Sequence, residues 1–210
     1  MKKHSPKPQR GFTLVEIAIV LVIVGLLLGG VLKGQELIFN SKVKATYNLS
    51  KELSAAVNGY QDRYKQLPGD DPNALVRFPT YAPTVVNGDG DGLIWWGGTC
   101  QTGQQGGENC RALSHLRASG FISGTGPEGA PSPFGGTASV ASALIFMPGA
   151  GGSPVLGLSP QSLTHKSASA MDTSFDDGLS TTGSIRCRSL AAYNMATPDT
   201  NVPDWCSIQM

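Results

Sequence analysis

The chain has 210 residues, of which 27 are glycine and 14 are proline, and its formal net charge is +1. That length allows one moderate domain plus an anchoring segment, and the glycine and proline content favours long loops. Four of the 16 basic residues precede the first long apolar segment, so the remainder carries 12 basic and 15 acidic residues, a net charge of −3. A mildly acidic remainder without a basic stripe argues against nucleic-acid binding as the main role of the folded part.

The first predicted element is a membrane-spanning helix. Residues 12–32 form a run of 21 residues in which only Thr13 and Glu16 are polar, enough for about 30 Å of helix. The preceding basic residues predict that residues 1–11 stay in the cytoplasm and that everything after Lys33 is extracytoplasmic. An ordinary secretory signal has a shorter apolar region followed by a small-residue cleavage site, and this segment has neither feature.

Glu16 is the unusual residue of this segment. A carboxylate inside an apolar span costs a few kcal/mol unless it is paired or neutralised. A plain signal anchor gives no reason for it, so Glu16 is a candidate functional residue.

The residues around Glu16 resemble a known processing site. The stretch 10–16, Arg-Gly-Phe-Thr-Leu-Val-Glu, is similar to that of type IV pilins and type II secretion pseudopilins. The resemblance implies that an aspartyl prepilin peptidase cuts between Gly11 and Phe12 and methylates the new amine of Phe12. It also implies that Glu16 pairs with the amine of Phe12 on a neighbouring subunit. Because cleavage creates that amine, the leader would hold the precursor out of the filament.

The same resemblance implies an organisation and a set of partners. We expect a leader (1–11), a transmembrane part (12–32), an extracytoplasmic amphipathic helix (33–67) and a loop-rich pilin-like domain (68–210). The implied partners are prepilin peptidase, other pilin or pseudopilin subunits, an inner-membrane assembly platform and the lipid bilayer, with no nucleic acid. The expected location is the inner membrane, then a filament in the periplasm or at the cell surface.

The membrane helix is expected to continue outward. No proline interrupts residues 9–67, and an unbroken helix over residues 13–66 would be about 80 Å long, with Pro68 and Gly69 as its stop. Apolar residues recur at helical spacing along its outer half: Ala45, Leu49, Leu53, Val57, Tyr60 and Tyr64. This stripe predicts a helix face that a small sheet covers.

One position departs from the pattern of many pilins. Gly25 matches a glycine that is frequent in the family, but the proline that often follows eight residues later is Lys33 here. The difference argues against the major pilin of a bundle-type pilus. The glycines of this helix also have a simpler interpretation, because small residues at four-residue spacing let helices approach closely.

The remaining two thirds predict a small antiparallel sheet with long loops, and so an α+β fold. Strands are expected at residues 93–96, 142–147 and 184–187, and a short helix at 111–119 with Leu113, Leu116 and Phe121 facing inward. Several phrases resemble minor-pilin-like sequences: Leu67-Pro68-Gly69-Asp70, the stretch 87–92, His115-Leu116 before Gly120, and Asp176-Asp177-Gly178. They favour a minor subunit.

The four cysteines predict two local disulfides. Cys100 and Cys110 form one neighbouring pair and Cys187 and Cys206 the other, and no C-x-x-C suggests a zinc or redox site. The alternative is four reduced, buried thiols, which an exported domain disfavours. The loop from Cys187 to Cys206 also resembles the disulfide-bounded carboxy-terminal region of many pilins.

One acidic loop is a candidate calcium-binding site. Asn87, Asp89 and Asp91 alternate and are followed by glycine, as in the first half of an EF-hand loop. The twelfth position is Gly98, where a bidentate Glu is needed, so closure requires Glu108 or the Leu93 carbonyl. The alternative is a simple acidic hairpin turn, since Asn-Gly alone is a strong turn signal.

No enzyme motif accompanies these features. The sequence has no G-x-S-x-G, H-E-x-x-H, phosphate loop or nucleotide fingerprint. His4 lies in the leader, His115 on the predicted helix and His165 in a polar loop, so solvated or structural roles are expected for all three. Trp95 and Trp96 are predicted to face opposite ways, one exposed and one buried. The sequence therefore favours a filament subunit over an enzyme, with a pilin-anchored adhesin or calcium-dependent binding module as the alternative.

Overall fold

A computed structural model describes residues 13–81, 84–98, 100, 106–143, 152–159, 162–187, 196, 199 and 205–210. Its helices are α1 (Leu14–Tyr64), α2 (Ala74–Arg77), α3 (Glu108–Ala118) and α4 (His165–Phe175), with a 3-10 turn at Pro79–Tyr81. Its strands are β1 (Ala130–Pro131), β2 (Thr137–Ser142), β3 (Pro154–Leu158), β4 (Ile185–Cys187) and β5 (Cys206–Gln209). The predicted α+β class, a long amino-terminal helix with a small antiparallel sheet and disulfides, is confirmed.

The chain divides into two compact units, residues 1–41 and 42–210. In the first unit, the apolar side chains of α1 from Leu14 to Leu32 are exposed on every face of the helix. The helix is long and apolar enough to cross a membrane. A helix that is hydrophobic all round needs lipid or protein neighbours, because it has no polar face for water.

Helix α1 ends slightly earlier than the sequence predicts. Lys65 adopts a left-handed backbone with φ 58°, and its N–H donates to the Gln61 carbonyl at 2.8 Å. A residue in this conformation closes the last helical turn without continuing it. The helix therefore stops before Pro68 is reached, although Pro68 prevents any restart.

The buried face of outer α1 differs in part from the predicted stripe. Leu53, Val57 and Tyr60 are buried as expected, but Ala45 is exposed. Thr46 and Ser50 are buried instead. Their hydroxyls donate within the helix, Thr46 to the Lys42 carbonyl and Ser50 to the Tyr47 carbonyl. This internal bonding allows two polar side chains to occupy a core face, a possibility that an apolar pattern alone does not detect.

The second unit is built around the five-stranded sheet, whose strand order is β1-β2-β3-β5-β4 with every pair antiparallel. One row across the sheet is apolar and buried: Val140, Leu156, Ile208 and Ile185 are successive register partners. Each buried side chain of this size contributes about 1.5–3 kcal/mol. Helix α3, with Leu113 and Leu116 fully buried, packs on β2.

Two of the three strand predictions need correction. Residues 93–96 are not a strand, because their backbone bonds are divided: those of Trp95 go to Glu108 and Asn109 at the start of α3, and those of Ile94 go to Ser142 at the end of β2. The strand expected at 142–147 shares only Ser142 with β2, which lies earlier in the chain; residues 144–147 lie outside the described part. The third prediction is confirmed by β4.

Helix α4 contradicts the polar loop expected around His165. The Thr164 hydroxyl accepts from the Ser167 N–H at 3.2 Å, and the Thr164 N–H donates to the Ser167 hydroxyl at 2.8 Å. This reciprocal capping box satisfies donors that a helix start leaves open. Ala168 and Met171 then face the core one turn apart, and His165, the first helical residue, is buried.

Both predicted disulfides are present. Cys100–Cys110 ties the loop before α3 to the first turn of that helix, and Cys187–Cys206 joins register partners on β4 and β5. Closing loops of this length contributes about 3 kcal/mol each in the chain-entropy model.

Gly97 is expected to be intolerant of any side chain. A Cβ at Gly97 would overlap the Gly107 backbone, where the two segments meet at the start of α3. We expect Gly97→Ala to lower the free energy of unfolding by about 2 kcal/mol or more, since backbone cannot move aside as a side chain can. Gly92→Ala is the matched control, because Gly92 has φ 84° but open space around a Cβ, so it costs only about 1 kcal/mol of backbone strain. Urea unfolding of the full chain measures both, and equal losses would contradict the steric argument.

Candidate functional site

The first candidate site is the amino-terminal turn of α1. Gly11 and Phe12 lie outside the described residues, and Glu16 lies in the first turn. The Thr13 N–H and the Thr13 hydroxyl both donate to Glu16 Oε2 at 2.8 Å, while the Glu16 N–H donates to Thr13 Oγ1 at 3.3 Å. Thr13 and Glu16 thus form a capping box, signalled in the sequence by the Thr-x-x-Glu spacing.

The capping box gives Glu16 a structural role alongside the predicted pairing. Both hydrogen bonds from Thr13 go to one carboxylate oxygen. An ionised carboxylate offers about four acceptor sites on its two oxygens, so Glu16 can still accept from an amine. The arrangement holds the carboxylate at the start of the helix.

The second candidate site is a loop organised by Asp70, a buried residue that sequence reasoning missed. Asp70 Oδ1 accepts the N–H groups of Gly90 at 2.6 Å and Asp91 at 3.0 Å, and Oδ2 accepts that of Gly92 at 2.9 Å. Three donors from one short stretch therefore converge on a single carboxylate. Asp70 follows Pro68-Gly69 and looks in sequence like an ordinary turn residue, which is why its role went unpredicted.

Glu108 holds the same loop from the other side. It is buried in the first turn of α3, where the helix dipole favours a negative charge. Its Oε1 accepts the Asp89 N–H at 3.3 Å and its Oε2 accepts the Trp95 N–H at 3.0 Å. Two buried carboxylates thus shape the segment between residues 88 and 95.

Four carboxylates come together here. One oxygen from each of Asp70, Asp89, Asp91 and Glu108 lies within 4.8 Å of the others. Three of the predicted calcium ligands are therefore neighbours. The fourth, Asn87, uses its side-chain oxygen to accept the Leu75 N–H at 2.8 Å.

The electrostatics of this acidic cluster disfavour its full ionisation. Burial raises the pKa of Asp70 and of Glu108, and the neighbouring carboxylates act in the same direction. The backbone N–H donors oppose this effect without cancelling it. A hard cation such as calcium prefers carboxylate oxygens and would offset the repulsion, so these four residues are the ones that would hold it.

The tryptophans beside the cluster differ in environment. The Trp95 indole N–H donates to Asp91 Oδ2 at 2.7 Å, and this side chain is 48% exposed. Trp96 is partly buried and packs edge-on against Trp205, with ring centroids 4.1 Å apart. The prediction of one exposed and one buried tryptophan is therefore met only in part, because Trp96 is partly buried and the segment is not a strand.

A second acidic group follows α4 and has a structural explanation. Asp172, Asp176 and Asp177 lie within 4.8 Å of one another. Asp172 accepts the Gly178 N–H and Asp176 accepts the Ile185 N–H, while a bond from the Thr182 hydroxyl lowers the pKa of Asp177. These bonds shape the turn that leads into β4.

Comparison with known proteins supports the first site. Residues 6–32 match the model of the prokaryotic N-terminal methylation motif, a range that contains Gly11, Phe12 and Glu16. No curated protein and no solved structure matches the chain. Together with the apolar helix that follows, this match shows that the chain carries at its amino terminus the prepilin-type signal of type IV pilins and pseudopilins.

Proposed function

We propose that the protein is a structural subunit, a minor pilin or pseudopilin, of a type IV pilus or type II secretion-like filament. The observation that carries this proposal is the methylation motif at residues 6–32, continuous with a helix whose apolar side chains are exposed on all faces. Such a helix is suited first to lipid and then to a bundle of identical or related helices. The motif indicates a structural subunit rather than an enzyme.

The proposed sequence of events starts at the inner membrane. Residues 12–32 span the bilayer, the leader 1–11 faces the cytoplasm, and residues 33–67 continue the helix toward the domain at 68–210. Prepilin peptidase removes the leader and methylates Phe12. The assembly platform then brings subunits together, and Glu16 of one subunit pairs with the amine of Phe12 on another.

Recovery from filaments tests this function. An epitope-tagged chain, expressed in its own bacterium, should appear in the sheared or purified filament fraction, and its recovery should depend on the assembly ATPase of the system. A strain lacking that ATPase is the control. A chain that stays in the inner-membrane fraction of both strains would contradict the proposal.

A second candidate function is calcium-dependent binding at a filament tip, favoured by the four converging carboxylates. Calcium that binds the folded state alone stabilises it by mass action, by about 2.7 kcal/mol at 100 times Kd. We therefore expect millimolar calcium to raise the Tm of the full chain and EDTA to reverse the rise. The rise should shrink as pH falls, because Asp70 and Glu108 have raised pKa values and protons compete with calcium.

Paired variants make the calcium test specific. Asp89→Ala with Asp91→Ala should abolish the rise, whereas Asp62→Ala, on the exposed face of α1, should retain it. Titration calorimetry provides the direct measurement. An absence of binding heat at millimolar calcium would assign the carboxylates to holding the loop alone.

A further inference from the structure

His115 connects three segments of the domain. It lies on α3 and is fully buried. The Gly69 N–H, just beyond the end of α1, donates to His115 Nδ1 at 2.9 Å. The other ring nitrogen, Nε2, lies 2.9 Å from the Val86 carbonyl oxygen, immediately before the acidic loop.

These two contacts define the protonation state of the ring. A nitrogen that accepts an N–H carries no proton, so Nδ1 is unprotonated, and Nε2 must donate to the Val86 carbonyl. His115 is therefore neutral in this arrangement. A proton added at Nδ1 would point at the Gly69 N–H, and two donors would then face each other in a buried site.

Among the described residues, no carboxylate hydrogen-bonds to the His115 ring. Helix α1 contributes the Tyr60 ring, whose centroid is 6.1 Å from that of His115, and β2 contributes no ionisable side chain. The charged groups that act on His115 are Asp71, which favours protonation, and Arg111, which opposes it. Burial outweighs the attraction of Asp71 and lowers the pKa of His115 to about 4.

We propose that neutral His115 is an acid-sensitive latch between helix α3 and the turn that follows α1, and that protonating its Nδ1 releases the turn at Gly69 while the sheet stays folded. The added proton goes to Nδ1, so the bond from the Gly69 N–H is lost, while Nε2 keeps its proton and its bond to the Val86 carbonyl. Gly69 immediately precedes Asp70, whose carboxylate accepts the N–H groups of Gly90, Asp91 and Gly92. Strands β2, β3 and β5 pair with one another along the sheet, and neither latch bond involves them.

The pH dependence has a definite sign. The closed latch takes up a proton near pH 4 and the open one at the ordinary histidine pKa of about 6.5. Between these pH values, opening the latch binds one proton. The latch is therefore fully stabilising above about pH 6.5, and the equilibrium constant for opening rises about tenfold for each pH unit below that value. Asp70 and Glu108 act in the opposite direction, because their raised pKa values make the closed loop hold protons more tightly. They therefore cannot produce the same profile.

Hydrogen exchange of the Gly69 amide tests the latch in the full chain in detergent micelles. After correction for intrinsic exchange, protection of Gly69 should fall about tenfold per pH unit from about pH 6.5 toward pH 4. Amides of β3 should not follow it. His115→Gln should flatten the Gly69 profile, and His165→Gln, which leaves the latch intact, should keep it. A flat wild-type profile, or an equal slope in His115→Gln, would overturn the proposal.

A spectroscopic measurement covers the case in which the His115 variant fails to fold. Carbon-13 NMR of labelled histidine in the wild-type chain should show His115 as the neutral form protonated at Nε2, and charging only near pH 4. Titration of His115 between pH 6 and 7, or the form protonated at Nδ1, would also overturn the latch.

Discussion

Replacing Gly11 with valine is expected to leave the chain as uncleaved precursor. In the proposed processing, Gly11 is the residue before the cut, where a branched side chain would obstruct cleavage between Gly11 and Phe12; it lies within the matched motif at residues 6–32. We expect the ratio of mature chain to precursor to fall about tenfold or more, which corresponds to about 1.4 kcal/mol or more in the barrier to cleavage. Immunoblots of membranes after a pulse of synthesis measure this ratio.

Gly25→Val is the control for this experiment. It makes the same substitution in the membrane helix, where a Cβ on Gly25 meets nothing within 4 Å in the described structure. Cleavage should proceed normally in this variant. Equal processing of both variants would show that Gly11 is not the residue before the cut.

Replacing Glu16 with glutamine is expected to separate membrane insertion from assembly. Removing the charge makes the helix easier to insert, so the chain should reach the membrane and be cleaved. The proposed partner of the Phe12 amine is lost, however, and a buried amine without its carboxylate is strongly unfavourable. We expect incorporation into filaments to fall about tenfold or more, which corresponds to about 1.4 kcal/mol or more.

Because Glu16 belongs to the capping box, glutamine is the most informative substitution at this position. Its side-chain carbonyl can still accept from Thr13, so Glu16→Gln keeps the cap and removes the charge. Thr13→Ala does the reverse, removing the capping hydroxyl at a cost of about 1 kcal/mol while keeping the charge. Normal incorporation of Glu16→Gln would refute the charge pairing. An equal defect in Thr13→Ala would assign the role of Glu16 to the cap.

The sequence predicts α1 well because its signals are local. An apolar run and a helical repeat without proline are enough to place it within two residues at each end. Helix α4 was missed because its serines and threonines suggest a loop, although Thr164 and Ser167 form the cap that starts it. Short polar helices depend on such caps and on tertiary burial, which hydrophobic periodicity does not report.

The acidic loop depends on contacts that local sequence patterns do not predict. Asp89, Asp91 and Glu108 were identified from spacing and chemistry, and they do lie together. Asp70 joins them only because the fold brings this distant residue within hydrogen-bond distance of N–H groups of the loop. In the same fold, the side-chain oxygen of Asn87 accepts the Leu75 N–H. Residues 93–96 have strand-forming side chains, but Trp95 bonds to the first turn of α3 and Ile94 bonds to the last residue of β2. In each case a long-range hydrogen bond decided the outcome, and a single sequence does not encode such a bond in any short pattern.

The most direct test of the account is mass spectrometry of the amino-terminal peptide of the chain recovered from filaments. A processed subunit should give a peptide that begins at Phe12 and carries a methyl group on its amine, and this peptide should disappear in cells without prepilin peptidase. A peptide that retains residues 1–11, or a mature chain that begins at any other residue, would contradict the assignment of residues 6–32 as a functioning prepilin signal.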